Sequence, residues 1–149
     1  MELTSPAFKH DEDIPSKYTC EGENISPPLL IGGAPEKTVS FVLIMDDPDA
    51  TGGVTFDHWV VWNIPAKTSE IKEGELPDEA IEGMTDFDRE EYGGPCPPVG
   101  AKKHRYVFKL YALDTVLDVP FGSGKKIVEE TTGGHVLDQV ALIGLYGRG

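Results

Sequence analysis

Several features of specialised protein classes are absent from this chain of 149 residues. Its two cysteines, Cys20 and Cys96, are too few for a disulfide scaffold, and their spacing matches no zinc motif. No apolar run approaches the roughly 20 residues that cross a bilayer, and the opening MELTSPAFKHDED lacks the apolar centre of a signal peptide. The sequence therefore predicts a cytoplasmic protein with two free thiols. A single bridge is the alternative and would fit a hyperthermophile.

Positive charge is also scarce. The chain has 13 Lys and Arg against 26 Asp and Glu, a formal net charge of -13. Nucleic acids and anionic membrane faces attract positive surfaces, so this composition predicts neither nucleic-acid binding nor stable membrane association. Ten of the carboxylates lie between Glu70 and Glu91, beside only two basic residues. Such a stretch favours a solvated loop region over an acidic docking surface.

The motifs of common catalytic and cofactor sites are missing too. There is no nucleophile elbow, no HExxH pair, no GxxxxGK loop and no GxGxxG. The segment GPCPPVG, residues 94–100, is not a phosphate loop, because its prolines remove the N–H groups that such a loop uses. The sequence thus predicts no catalytic residue, no metal ligand and no cofactor.

Short β-strands account for most of the apolar residues. The 17 glycines and 12 prolines interrupt the chain every few residues, which leaves room for short strands and few helices. One helix is predicted over 124–139 with Ser123 as its N-cap. Without a repeat or linker, residues 1–149 form a single domain. Five strands are predicted from runs rich in β-branched and aromatic residues, at 29–31, 38–45, 58–64, 105–113 and 140–146.

Two histidines stand where an apolar strand face meets a turn. Because side chains alternate along a strand, His104 and Tyr106 share the core-facing stripe of their strand, and His58 shares a face with Val60 and Trp62. Such positions suit the rim of a concave pocket. The simpler explanation of either histidine alone is a half-buried, hydrogen-bonded side chain.

An acidic turn and a rigid loop accompany these histidines. Asp47 and Asp49 flank Pro48 directly after a predicted strand, so a stiff turn presents two carboxylates at a strand end. Turns of this kind are more often structural than catalytic. In GPCPPVG the prolines fix the backbone and the glycines permit close approach. Together with the imidazoles and the Tyr106 hydroxyl, these features predict a pocket whose donors suit a phosphate or carboxylate.

Four segments in chain order resemble the phosphatidylethanolamine-binding protein family, also called the Raf kinase inhibitor protein family, and its smaller prokaryotic branch in particular. The most diagnostic stretches are DPDA and HRYVFKLYAL. The resemblance implies a mainly β fold: a β-sandwich of the Greek-key type, with two packed antiparallel sheets and one or two short helices. The segments are CEGENISPPL with GAPEKTVSFVLIMDDPDA, then DHWVVWNIPA, YGGPCPPVGAKKHRYVFKLYAL and GHVLDQVALIGLYGR.

The anion pocket of that family maps onto seven residues of this chain. In the family it holds phosphate-like groups, phosphoethanolamine head groups or small carboxylates, and it uses no cofactor. Because prokaryotic relatives share both cysteines, the resemblance also implies that Cys20 and Cys96 are neighbours that could form a bridge near the pocket. The mapped residues are Asp47, Pro48, His58, Gly94, Pro98, His104 and Tyr106.

The resemblance implies a binding module for a small anionic ligand that regulates or inhibits a protein partner, such as a kinase or a protease. Relatives are often dimers, which adds a homodimer as an expectation. The alternative is a hydrolase in which His58 and His104 act as acid and base while Asp47 orients one of them. A third interpretation is peptidase inhibition through a surface loop instead of the pocket.

Overall fold

A computed structural model describes all of residues 1–149. The predicted strands are present, four short strands join them, and no helix is long and apolar enough to cross a bilayer. In chain order the elements are β1 (Glu2–Thr4), β2 (Glu12–Asp13), β3 (Leu29–Gly32), β4 (Ser40–Asp47), β5 (Phe56–Pro65), β6 (Glu70–Ile71), β7 (Ile81–Glu82), β8 (His104–Leu113), α1 (Lys125–Thr132) and β9 (Val136–Tyr146).

The larger of the two sheets is built around β4. Its six strands lie in the order β2-β9-β8-β4-β5-β7, and the smaller sheet has the order β1-β3-β6. Since β4, β5 and β7 are successive antiparallel neighbours and β8 returns beside β4, these four strands form a Greek key. The predicted β-sandwich is therefore confirmed. One strand pair departs from the predicted antiparallel arrangement: β2 lies parallel to β9 at the edge of the larger sheet.

Two hydrophobic cores lie on opposite faces of the larger sheet, which explains why all eight residues of β4 are buried. The inter-sheet core fills the space between the two sheets, and the helix-side core lies under α1. The inter-sheet core includes Phe41, Leu43, Met45, Trp59, Tyr106 and Phe108. The helix-side core consists of Val42, Ile44, Val60, Trp62, Leu113, Leu117 and Val128.

Helix α1 is shorter than predicted. It ends at Thr132, because Gly133 and Gly134 follow and Gly134 has a φ of 82° that ends the regular helix. The chain turns at 133–135 and then enters β9, so residues 136–139, predicted as the end of the helix, form a strand instead. Ser123 is not the N-cap: that position is Gly124, and the Ser123 hydroxyl donates to the Pro120 carbonyl.

Strand β5 contains a β-bulge at His58. The residues on either side of His58 pair with consecutive residues of β4, so His58 is an additional residue in β5. Its ring packs against Tyr106 of the inter-sheet core at a centroid distance of 5.3 Å, whereas Val60 and Trp62 belong to the helix-side core. The expectation that His58 shares a face with Val60 and Trp62 is wrong, because alternation does not survive an inserted residue.

The acidic stretch 70–91 is more than a solvated loop. It contains β6, which pairs with β3 of the smaller sheet, and β7, which pairs with the edge of β5. The Asp86 N–H donates to the Asp57 carbonyl at 3.0 Å, and the Gly93 N–H donates to the His58 carbonyl at 3.0 Å. These bonds place the stretch beside the first residues of β5, with many of its carboxylates exposed.

A disulfide joins Cys20 to Cys96 across 76 residues, with their Cα atoms 5.4 Å apart. The two backbone segments run side by side here, because the Cys20 N–H donates to the Pro95 carbonyl at 3.1 Å. The expectation of two free thiols is wrong. The pairing that the resemblance implied is the one in the structure.

We expect the double change Cys20→Ser and Cys96→Ser to lower the free energy of unfolding by about 4 kcal/mol, because a cross-link of this span removes entropy from the unfolded chain. Guanidinium unfolding followed by the fluorescence of the buried Trp59 and Trp62 would measure the difference. Wild-type protein kept reduced should show the same loss. A loss below about 1 kcal/mol in both would contradict the expectation.

Candidate functional site

A cavity of about 250 Å³ opens where β4 ends and β5 and β8 begin. Because β4 is antiparallel to both neighbours, its last residue meets the first residues of the other two strands. The loop 96–98 and Phe87 from the acidic stretch complete the wall. The lining residues are Asp47, Ala50, Thr51, Phe56, His58, Phe87, Cys96, Pro97, Pro98, His104 and Tyr106.

A hydrogen bond between His104 and Asp47 orients the first imidazole. His104 Nδ1 lies 2.8 Å from Asp47 Oδ2, and both side chains are buried. The other carboxylate oxygen of Asp47 accepts the Asp49 N–H at 2.8 Å, which fixes the carboxylate in turn. With Nδ1–H donating to Asp47, Nε2 of His104 is the nitrogen left without a protein partner.

A backbone carbonyl orients the imidazole of His58, again through its Nδ1 atom. His58 Nδ1 donates to the Gly93 carbonyl at 2.7 Å, since a carbonyl oxygen can only accept. Three aromatic rings surround the imidazole edge-on at centroid distances of 5.1 to 5.3 Å, those of Phe56, Phe87 and Tyr106. Burial lowers the pKa of His58 below its usual 6.5, although the Gly93 carbonyl and Asp47 oppose this. Nε2 of His58 again lacks a protein partner.

Tyr106 contributes a hydroxyl donor. Its ring is fully buried and stacks on His104 at a centroid distance of 6.4 Å, while its hydroxyl has no hydrogen bond to the protein. Burial, followed by the Asp47 carboxylate, raises the pKa of Tyr106 above its usual value. The hydroxyl therefore stays protonated and can donate to a ligand.

The second aspartate of the turn supports the site from outside. Asp49 forms a two-point ion pair with Arg105, with Nε to Oδ2 and the terminal guanidinium nitrogen to Oδ1 both at 2.9 Å. It also accepts the Arg105 backbone N–H. These bonds lower the pKa of Asp49 to about 2. Asp49 thus ties the turn after β4 to the start of β8 and does not line the cavity.

The proline-rich wall is held from both sides. On one side the Gly94 N–H donates to Asn24 Oδ1 at 2.8 Å, and Cys96 carries the disulfide. On the other side Arg148 Nε–H donates to the Pro97 carbonyl at 2.7 Å. A Cβ atom at Gly94 would overlap Asn24 and the backbone beside it, so this close approach requires glycine.

Five of the seven predicted site residues line the cavity together, and two do not. Pro48 is exposed at the turn, and Gly94 is buried behind the wall. The aromatic lining was not predicted from the sequence, because Phe56 precedes the strand predicted at 58–64 and Phe87 lies inside an acidic run without periodicity. No group of three or more His, Cys, Asp or Glu side chains that could hold a metal ion is present.

Comparisons with known proteins agree on one family. The family model for phosphatidylethanolamine-binding protein matches residues 4–147. A UPF0098 protein of Methanothermobacter thermautotrophicus is 50% identical over 154 aligned positions, covering 100% of both chains. The solved structure of a phosphatidylethanolamine-binding protein homolog from Chlamydia trachomatis has a TM-score of 0.93 and 38% identity, and the alignment covers 99% of this chain and 97% of that one. The structure of E. coli YbcL also has a TM-score of 0.93, with 33% identity over 99% of this chain and 98% of YbcL.

We expect His58 to titrate below 6.5 in the ligand-free protein, because its burial disfavours the imidazolium. The unfolded chain then takes up the proton first as pH falls. The contribution of His58 to the free energy of unfolding is therefore complete above 6.5 and is lost as pH falls towards the lower pKa of the folded state. Histidine NMR titration measures the pKa directly. A His58 signal titrating at or above 6.5 would contradict this.

Proposed function

The chain belongs to the phosphatidylethanolamine-binding protein family, and from that premise we propose that its cavity binds a small anion, a phosphate, a phosphoryl head group or a carboxylate. One observation carries the proposal: the Nδ1 atoms of His58 and His104 are both committed to acceptors, at 2.7 and 2.8 Å. Each ring is therefore oriented, with Nε2 left over for a ligand.

Protonation decides what Nε2 can do. In a neutral imidazole whose Nδ1 carries the hydrogen, Nε2 is an acceptor and repels an anionic oxygen. In the imidazolium Nε2–H is a donor with a positive charge, which forms the stronger, charge-assisted type of hydrogen bond. Because burial keeps His58 neutral to a lower pH, binding of an anion is coupled to uptake of a proton by the site.

Size and overall charge restrict the ligand further. A cavity of about 250 Å³ lies below the usual volume range of pockets for drug-sized molecules, so a single phosphate, carboxylate or compact head group is the matching class. The formal net charge of -13 repels anions at long range. Attraction to the site must then come from short-range donors, the two imidazolium groups and the Tyr106 hydroxyl.

Regulation or inhibition of a kinase or a protease would follow if a bound anion altered the surface around the cavity. This part of the proposal is supported by the family resemblance and not by a contact in the structure. The same is true of a cytoplasmic location and of a homodimer. A ligand in the cavity would contact Pro97 and Pro98 of the wall and Ala50 and Thr51 of the turn, which are the segments best placed to report its presence to a partner.

We expect the wild-type protein to bind inorganic phosphate and sulfate in isothermal titration calorimetry, more tightly at pH about 5.5 than at about 8, because the imidazolium forms donate from Nε2. Sulfate keeps a constant charge over this range, so its pH dependence reports on the protein. Replacing His104 by Ala should weaken binding by about 10-fold or more, the effect of losing one hydrogen bond to a charged group.

His135→Ala is the matched control. His135 Nδ1 bonds to Asp114 at 2.8 Å, the same contact that orients His104, but the pair is about half exposed and lies outside the cavity. Its replacement should leave the sulfate affinity unchanged. An affinity for sulfate that is independent of pH, or that falls equally in both variants, would contradict the proposed role of the imidazoles.

A hydrolase is the second candidate, and the Asp47–His104 hydrogen bond favours it, because a carboxylate that orients a histidine is the arrangement of a general base. In that case His58 would act as the acid. Panels of phosphoester, ester and amide substrates test the idea. We expect no turnover that depends on His104, and activity that disappears in the His104→Ala variant would replace the binding proposal with the enzymatic one.

A further inference from the structure

One buried and one half-buried carboxylate, those of Asp46 and Asp57, lie directly behind the cavity on the helix-side face of the larger sheet. Asp46 precedes Asp47 in β4, and Asp57 precedes His58 in β5. The register places Asp46 and Asp57 opposite each other, with 2% and 17% of their side chains exposed. Like charges at directly opposed positions destabilise a strand pair, so this arrangement requires a compensating cation.

Lys125, at the first position of α1, is the cation that reaches both carboxylates. Its Nζ lies 2.8 Å from Asp57 Oδ1 and 3.3 Å from Asp46 Oδ2. Lys109 of β8 reaches Asp46 alone, at 2.8 Å. Burial raises the pKa of Asp57, and Lys125 opposes that rise. Among the ion pairs of the chain, Lys125 is thus the single partner of Asp57.

The Asp57 position determines how His58 enters the cavity. Because Asp57 pairs with Asp46, His58 becomes the additional residue of the bulge and its ring turns towards Tyr106. Asp57 also fixes the neighbouring loop: its backbone N–H donates to Asp86 Oδ2 at 2.6 Å. The next loop residue, Phe87, packs against His58 at a centroid distance of 5.2 Å.

We propose that Lys125 is a positioning residue for the anion site, which holds Asp57 opposite Asp46 and thereby keeps the bulge that turns His58 into the cavity. Helix α1 contributes no residue to the cavity lining, so its first residue acts through the sheet. The inference rests on the proposed function, since it assigns a residue on the far face to the same binding site.

The test compares two lysine variants in the full chain. In Lys125→Met the affinity for sulfate at pH about 5.5 should fall by about 10-fold, because the hydrogen bond from His58 Nε2–H to the sulfate is lost. The pH dependence of binding should also become shallower, because His58 no longer contributes its Nε2–H. Lys109→Met removes an equal charge from the same face but leaves Asp57 paired, so its affinity should stay within about 2-fold of wild type. Lys125→Arg should restore most of the affinity.

Histidine NMR separates positioning from simple loss of charge. The charged and titratable groups around His58 are Asp47 and Asp46 of β4 and His104 and Tyr106 of β8. From the loop 83–94, the Phe87 ring and the backbone of Gly93 and Gly94 face it. In wild type at pH about 5.5, sulfate should change the Nε2 chemical shifts of both His58 and His104. In Lys125→Met the change should persist at His104 and be lost at His58.

The outcomes distinguish the positioning role of Lys125 from the proposed binding of anions. Wild-type affinity in Lys125→Met, or an equal loss in Lys109→Met, would overturn the positioning role and leave the proposed function intact. Absence of sulfate binding to the wild type would overturn the proposed function itself. If Lys125→Met does not reach the wild-type circular dichroism spectrum, the double variant Lys125→Met, Asp57→Asn removes the charge that Lys125 compensates. The double variant should then fold and bind sulfate, and a folded double variant that does not bind sulfate would overturn the inference.

Discussion

Two consecutive carboxylates at the end of a strand buried on both faces are the constraint on which the rest of the structure depends. Desolvated charges are tolerated only with partners, and alternation sends Asp46 and Asp47 to opposite faces of β4. Asp47 bonds to His104 and orients its imidazole, which leaves Nε2 of His104 free for a ligand in the cavity. Asp46 pairs with Lys109 of β8 and Lys125 of α1 on the opposite face. Two adjacent residues of β4 therefore make the charged contacts on both faces of the sheet.

Local pattern predicted the site wherever the strands pair regularly. Strand β8 pairs without interruption with β4 from Val107 to Leu113 and with β9 from His104 to Ala112, so alternation correctly placed His104 and Tyr106 on the buried face. In β5 the same rule failed at His58, because the bulge depends on how Asp57 pairs with another strand. Pairing of that kind is a non-local property that one segment cannot reveal.

The remaining differences have similar physical origins. Phe87 reaches the cavity because Asp86 bonds to Asp57 across the fold, and a single aromatic in an acidic run carries no periodic signal. Gly94 supports the wall from behind through its bond to Asn24. A family pattern includes both the residues that line a site and the residues that support its walls. Only the three-dimensional structure separates the two kinds of residue. The β-sandwich, in contrast, could be predicted from the runs of β-branched and aromatic residues together with the resemblance.

The disulfide also gives the chain a topology that the hydrogen bonds do not. Closing Cys20 onto Cys96 makes a covalent ring of the backbone that carries β3 to β7, with Asp47, His58 and Phe87 inside it. Cleavage of one peptide bond in the exposed turn 52–54 opens this ring without dividing the molecule. The nicked chain would remain one covalent species until the bridge is reduced, so the walls of the cavity can stay joined although the backbone between β4 and β5 is cut.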